Sequence, residues 1–153
     1  STTDTLTVSG GNDISTAISG DTVTINQSRS RTTASVSTGS ITNNTTSTPN
    51  IVGFKSYLLM SIQVSHQAWV RLYTDSTSRT NDSSRSQGAD PSPGAGVIAE
   101  VITTGAQTIL MSPGVFGFNN EGSPTTAIPL SVKNISGSSA NITVTLTLLK
   151  LED

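Results

Sequence analysis

The stretch "NITVTLTLLKLE" (residues 141–152) decides the fold class. Its apolar residues Ile142, Val144, Leu146 and Leu148 fall at every second position. A spacing of two places them on one face of a β-strand. Threonine occupies three of the intervening positions, and its β-branched side chain suits the other face of a pleated sheet. The stretch therefore predicts a long strand with one face in a hydrophobic core.

The chain upstream of this stretch predicts more strands of the same kind. In "AWVRLYT" (residues 68–74), Val70 and Leu72 face one way and the aromatic residues face the other. No stretch shows a convincing helical period over ten residues. Strands joined by polar turns predict an all-β fold, an antiparallel β-sandwich of the jelly-roll kind. The stretch "GFKSYLLMSIQV" (residues 53–64) predicts Leu58, Met60, Ile62 and Val64 on one face, and further strands are predicted at residues 97–103, 107–112 and 126–134.

The first fifty residues differ from the rest. In "DTLTVSGGNDISTAISGDTVTINQ" (residues 4–27), a short alternating phrase occurs twice, and few apolar residues accompany it. Such strands are too sparse to offset the entropy of ordering them, about 1–2 kcal/mol of backbone per residue. Either the segment is disordered or it finds apolar partners in other copies of the chain. We predict two domains, an extended β-repeat arm with a linker (residues 1–50) and a β-sandwich (residues 51–153).

Composition and charge exclude several classes of protein. The formal net charge is −2, and no basic stripe is present, so a nucleic-acid partner is not expected. No apolar run approaches the roughly eighteen residues of a membrane span, so membrane insertion is not expected. The chain contains no cysteine, which rules out disulfides and thiolate metal sites. Oligomerisation is the usual alternative means of stabilising a small domain.

Catalytic chemistry is not indicated. His66 is the only histidine, and no nucleophile-elbow pattern accompanies it. Glu100 interrupts an apolar strand, where it is expected to face solvent or to pair with Arg71 or Lys133. The stretch "DSTSRTND" (residues 75–82) has oxygen ligands for calcium but lacks the ligand spacing of a recognised calcium loop. We therefore expect no enzyme, no cofactor and no metal site.

The polar stretch at residues 75–96 is the strongest candidate for a contact surface. Loops of this length in a compact domain are usually functional or lie at an interface. Its arginines could clamp an anionic ligand, but pairing with neighbouring acids is favoured. The predicted contact residues in and beside the loop are Trp69, Arg71, Tyr73, Asp75, Arg79, Asp82 and Arg85.

The opening phrase resembles repeats of bacteriophage tail-fibre and related virion appendage proteins, including those of marine and cyanobacterial phages. Those repeats have the form "GGTGI-ST-SGDTLTI", and Asn12-Asp13 replaces their Thr-Gly here. The stretches "SYLLMSIQVSHQAWVRLYTDSTSRTNDSSR" and "NITVTLTLLKLE" are similar to a terminal β-sandwich module of the same proteins. The resemblance implies a structural protein on the virion exterior, and it carries over no catalytic residue.

The resemblance also implies a homotrimer in which the N-terminal strands are intertwined as a shared shaft. The residues expected to form its intersubunit core are Leu6, Val8, Val23 and Ile25.

Three functions remain open at this stage. The first is a trimeric fibre or appendage that contacts other virion proteins and a glycan or protein of the host surface. The second is a trimeric capsid decoration or cement protein that stabilises the shell. The third is a carbohydrate-binding module or glycan hydrolase, which the low aromatic content of 4% disfavours.

Overall fold

The structure, a computed structural model, describes residues 6–11, 13–27 and 29–153. The chain divides into two compact units after Ser30. The elements are β1 (Ile14–Ser19), β2 (Thr22–Gln27), β3 (Arg31–Ile41), β4 (Thr46–Ser47), β5 (Asn50–Val52), β6 (Ser56–Val64), β7 (Ala68–Tyr73), α1 (Ser76–Asn81), β8 (Val97–Ile102), β9 (Gln107–Phe118), β10 (Ala127–Asn134) and β11 (Ala140–Glu152).

The first unit is a β-hairpin formed by β1 and β2. Its turn is Gly20-Asp21, where Gly20 has a φ of +58°, a conformation that glycine adopts without a steric penalty. The second copy of the repeated phrase forms β2, as the alternation suggests. Residues 6–11 form no strand, and the start of the first copy, residues 4–5, lies outside the described residues. The strand that pairs with β2 is instead β1, in the stretch between the two copies.

The second unit contains two antiparallel sheets. One has four strands in the order β3-β11-β6-β9, and the other has five, in the order β4-β10-β7-β8 with β5 also paired to β10. Apolar side chains from both sheets form one core. The prediction of an all-β, antiparallel, sandwich-like fold is confirmed.

Strand β11 occupies the centre of the four-stranded sheet, between β3 and β6. Ile142, Val144, Leu146 and Leu148 are each 0% exposed, so the predicted inward face of this strand is confirmed. Leu146 lies opposite Ile62 of β6, which is also fully buried. The alternation was informative here because this strand is paired on both edges and water reaches only one of its faces.

Strand β6 differs from its predicted pattern. The inward residues are Tyr57 and Leu59, then Ile62 and Val64, whereas Leu58 and Met60 are only half-buried. The register against both neighbouring strands shifts near Met60. A β-bulge inserts an extra residue and changes which residues face inward. Strict alternation across residues 53–64 therefore assigned Leu58 and Met60 to the wrong face.

The boundary between the units also differs from the prediction at residue 50. Residues 31–41 form β3, an edge strand that pairs with β11 along its length. Its Ala34, Val36 and Ile41 pack against the core, while serines and threonines occupy the other face. An edge strand with one solvent-exposed face needs few apolar residues. The composition of β3 therefore resembles that of the predicted N-terminal arm. The predicted linker contains the end of β3, the short strand β4 and the start of β5.

Candidate functional site

The predicted contact residues surround β7, whose two faces are both buried. Val70 and Leu72 face the sandwich core, as predicted. On the opposite face Trp69, Arg71 and Tyr73 are only 1–2% exposed. That face is buried because the chain from Asp75 onward folds back over it through hydrogen bonds of Arg71 and Tyr73 to residue 82.

Asp82 is the centre of a buried ion cluster, which we define as Arg71, Asp82, Arg85 and Glu100. Its carboxylate accepts hydrogen bonds from Arg71 Nη1 at 2.8 Å, from Tyr73 Oη at 2.7 Å and from Arg85 Nε at 2.8 Å. The Asp82 carbonyl accepts a further bond from Arg71 at 3.0 Å. Both guanidinium groups are nearly inaccessible, with side-chain exposures of 2% and 7%. Charges this buried require partners of opposite sign.

Glu100 completes the cluster from the neighbouring strand β8. From the sequence, Glu100 was expected to face solvent or to pair with Arg71 or Lys133. The structure instead pairs it with Arg85, which the loop carries back across the sheet. Trp69 lies beneath both cations, with Arg71 Cζ 3.9 Å and Arg85 Cζ 5.2 Å from its ring centroid. Cation–π contacts of this kind add to the attachment of the loop.

The start and the end of the loop are fixed by separate contacts. Asp75 caps α1 by accepting hydrogen bonds from the backbone N–H and the hydroxyl of Ser78, at 2.7 and 2.8 Å. Arg79 donates to the backbone oxygens of Thr48 and Pro49. Gly96 has a φ of +67°, and a Cβ there would collide with the side chains of Ser78 and Thr74.

The seven predicted contact residues therefore form an internal attachment. Six of them have buried or nearly inaccessible side chains, and Arg79 is committed to backbone oxygens of a neighbouring segment. Their burial does not fit direct contact with a host ligand, but it agrees with the sequence interpretation that the arginines pair with nearby acids. The longest exposed part of the loop is the tip at residues 86–94, and Thr77, Thr80, Asn81, Ser83 and Ser84 are exposed as well.

Two carboxyl groups of the loop have perturbed pKa values. Burial would raise the pKa of Asp82, but hydrogen bonds from Arg85, Tyr73 and Arg71, with the charge of Arg85, lower it below its usual range. Burial would also raise the pKa of Asp75, but hydrogen bonds from Ser78 and Thr74 outweigh that effect and lower the pKa below its usual range. In both cases the charged form is the one that the fold stabilises.

The lowered pKa values of Asp75 and Asp82 predict that the folded protein loses stability in acid. A carboxyl whose pKa is lowered by folding contributes stability above its unfolded pKa, and that contribution is lost as the pH falls through the folded value. We expect the thermal midpoint to be insensitive to these groups above about pH 5 and to drop below about pH 4, the ordinary range for aspartate. Asp82→Asn should show a lower midpoint at pH 7 and a shallower fall towards pH 3, measured by Trp69 fluorescence. Asp90→Asn, on the exposed loop tip, should retain the wild-type profile. An unchanged profile in Asp82→Asn would contradict the assignment.

The other candidates from the sequence do not converge. His66 is exposed, and its Nδ1 lies 2.8 Å from the hydroxyl of Ser65. Asp75 and Asp82, the carboxylates of the stretch considered for calcium, are occupied by the helix cap and the arginines. Across the described residues, no three His, Cys, Asp or Glu side chains are grouped as a metal site would require.

The outer face of the four-stranded sheet is open and has two chemically different ends. At one end is a shallow groove of about 400 Å³, lined by Gln63, Val64, Ser65, Ala106, Gln107, Thr108, Thr143 and Thr145. None of these side chains is charged. At the other end Phe116 is 58% and Phe118 43% exposed. These two side chains were not identified from the sequence, because β9 was predicted to end at Ser112.

The structure corrects the end of β9. The sequence predicted a strand that ends at residue 112, but the strand continues through Pro113 and Gly114 to Phe118, along the full length of β6. The pair lies in an irregularity where the register shifts between Leu59 and Ser61. Gly117 packs directly beneath the ring of the buried Tyr57, so the Phe-Gly-Phe alternation after the proline was the signal for a strand.

Comparison with known proteins adds no assignment. No protein-family model, no curated protein and no solved structure matches the chain. Among the described residues, no helix has the length and apolar character required to span a membrane.

Proposed function

We propose that the chain is a structural protein on the exterior of a phage virion, and that it forms a homotrimer through its N-terminal hairpin. The observation that carries the proposal is an apolar hairpin face, defined as Ile14, Ile18, Val23 and Ile25. These four side chains are 42%, 69%, 44% and 64% exposed in a single copy.

The register of the hairpin explains why these residues share a face. Ile18 lies directly opposite Val23, and Ile25 lies opposite Thr16 on the same side of the sheet. The other face carries Ser15, Ala17 and Ser19 from β1 and Thr22, Thr24 and Asn26 from β2. One face therefore carries all the large aliphatic side chains, together with Thr16 and Gln27, and the other face is polar or small. This is the pattern of a sheet that covers a core.

A single copy has no core for this face to cover. A two-stranded hairpin is at best marginally stable in water and needs further strands or a packing partner. Full burial of an aliphatic side chain of this size contributes about 1.5–3 kcal/mol. Three hairpins around one axis would supply the missing core, with each copy closing the exposed face of the next. Of the expected intersubunit residues, Val23 and Ile25 lie on this face, and Leu6 is 85% exposed. Val8 is partly buried, and its carbonyl accepts a hydrogen bond from Thr16.

The strand order of the second unit supports the virion part of the proposal. The second unit has eight strands in chain order if β4 and β5 are counted as one. The first, third, sixth and eighth of them (β3, β6, β9 and β11) form one sheet, and the other four form the second sheet. This alternation is that of a jelly roll, a fold used by viral capsid and lectin domains. A fold does not assign a function, so the argument also rests on the resemblance of the repeats to phage appendage proteins and on the hairpin face.

Within the particle, a fibre or appendage is favoured over a capsid decoration protein. An axial bundle of hairpins suits a shaft, and the loop tip at residues 86–94 is exposed where a host glycan or protein could meet it. Antibody labelling of intact particles, viewed by electron microscopy, is expected to mark the tail. Labelling spread over the shell would favour the decoration role. The proposed role is structural and involves no catalysis. Hydrolysis of host glycans by the purified protein would therefore contradict it.

Disruption of the apolar hairpin face should dissociate the trimer. Val23→Ser combined with Ile25→Ser removes half of the aliphatic side chains of that face, and three copies lose them together. We expect a monomer at micromolar concentration by light scattering, with the β-sheet circular dichroism of the second unit retained. Thr24→Ser, on the polar face of the same strand, is the matched control and should remain trimeric. A double variant that keeps the wild-type mass would remove the basis of the proposal.

A further inference from the structure

A row of apolar side chains crosses the outer face of the four-stranded sheet at one end. Leu149 of β11 lies opposite Leu58 of β6, which lies opposite Phe116 of β9. Phe118 is two residues further along the same face, with its ring centroid 6.1 Å from that of Phe116. We call Leu149, Leu58, Phe116 and Phe118 the apolar row.

The neighbouring rows on the same outer face can be compared with the apolar row. The next row across the sheet is Thr147, Ser61 and Leu110, of which Leu110 is 75% exposed, and the row after it is Thr145, Gln63 and Thr108. On the other sheet, the outer face of β7 is covered by the loop that the buried ion cluster attaches. Going from the Thr145 row to the apolar row, hydroxyl and amide side chains give way to Leu110 and then to leucine and phenylalanine. This change marks a surface that meets protein, since exposed apolar patches are typical of interaction sites and aromatic residues are enriched in the cores of interfaces.

We infer that the apolar row is a contact between the second units of neighbouring copies of this chain, formed within the trimer. This inference rests on the proposed homotrimer. Chain continuity identifies the occupant: Arg31, the first residue of the second unit, pairs with Leu149 and so begins the same row. Copies joined through the segment that ends at Ser30 therefore enter their second units at this row.

The size of the row agrees with a contact that forms only after the hairpins associate. With about 200 Å² for a phenylalanine, exposures of 58% and 43% leave roughly 200 Å² of aromatic surface on each copy. A stable free interface buries about 800 Å² on each partner. The row alone is therefore too small to join separate chains, but a tethered contact forms at an effective concentration in the millimolar range.

The test compares the trimer with the Val23→Ser/Ile25→Ser monomer by hydroxyl-radical footprinting and mass spectrometry. Burying Phe116 to interior-like exposure should reduce its labelling about fivefold in the trimer, and Phe118 should follow. Val52, which is 78% exposed on the other sheet, is the internal control and should be labelled equally in both forms. Equal labelling of Phe116 in the two forms would overturn the inference, because the residue would then be open to water or covered by its own chain.

A second variant keeps the inference testable if the double variant does not dissociate. Phe116→Ser removes an anchor from each of the three copies. At about 1.4 kcal/mol for each anchor the trimer dissociation constant rises about 1,000-fold, so the concentration of half-dissociation, which scales as its square root, should rise about thirtyfold. Val52→Ser should leave that concentration unchanged. Equal effects of the two substitutions would overturn the row as a contact. A wild-type chain that is already monomeric would instead refute the proposed trimer. The light-scattering mass of the wild-type protein distinguishes this result from a trimer in which the apolar row is not a contact.

Discussion

Replacing Asp82 with alanine is expected to lower the free energy of unfolding by about 3–5 kcal/mol, because it leaves a buried charge without a counterion. The variant would leave Arg71, whose side chain is 2% exposed, without its carboxylate partner, and would leave Arg85, 7% exposed, paired with Glu100 alone. A loss of this size is a large part of the 5–15 kcal/mol that usually stabilises a domain. Trp69 is the only tryptophan and stacks on both cations, so its fluorescence in a denaturant titration reports the cluster directly.

An exposed ion pair provides the control for this experiment. Lys150 and Asp153 lie 3.1 Å apart with side-chain exposures of 19% and 52%. Surface pairs contribute about 0–1 kcal/mol, so Asp153→Ala should be nearly neutral at the same protein concentration. If Asp82→Ala costs no more than Asp153→Ala, the cluster does not hold the loop in place.

Leu146→Ala is the second large effect, with an expected cost of about 2–5 kcal/mol, as for other large-to-small changes in cores. The side chain is fully buried in the centre of β11, opposite Ile62. The midpoint of chemical denaturation, followed by circular dichroism, should fall accordingly. Trimer mass should be retained under native conditions.

Val23→Ala is the comparison that tests the division of the chain. This residue is 44% exposed in a single copy and belongs to the hairpin. We expect a much smaller effect per chain on the denaturation midpoint, and a larger effect on the tendency of the trimer to dissociate. Equal shifts of the midpoint in the two variants would contradict the assignment of stability to the second unit.

The sequence predicted the fold best where a strand has one solvent-facing side and is paired with a neighbouring strand on each edge. Strand β11 meets these conditions, and its inward residues were identified correctly. In β6 the alternation failed at Met60, because a bulge is set by pairing with β11 and β9 and leaves no local signal. Strand β3 was assigned to the arm, because an edge strand with a hydroxyl-rich outer face has the composition of a linker.

The sequence identified most residues of the candidate site, but it did not predict how they are arranged. The sequence placed Arg71, Asp82 and Arg85 together and favoured their pairing with acids. It could not show that the loop turns back over β7, so Trp69 and Tyr73 were assigned to a surface that does not exist in the folded unit. The exposed pair Phe116 and Phe118 was missed because the predicted strand ended at residue 112, just before Pro113 and Gly114.

The most direct test of the central claim is the mass of the unmodified protein in solution. Light scattering at micromolar concentration should give three times 15.8 kDa, independent of dilution over a wide range, because the apolar hairpin face has no core in a single copy. A stable species of 15.8 kDa in which residues 14–27 remain a folded hairpin would contradict the account.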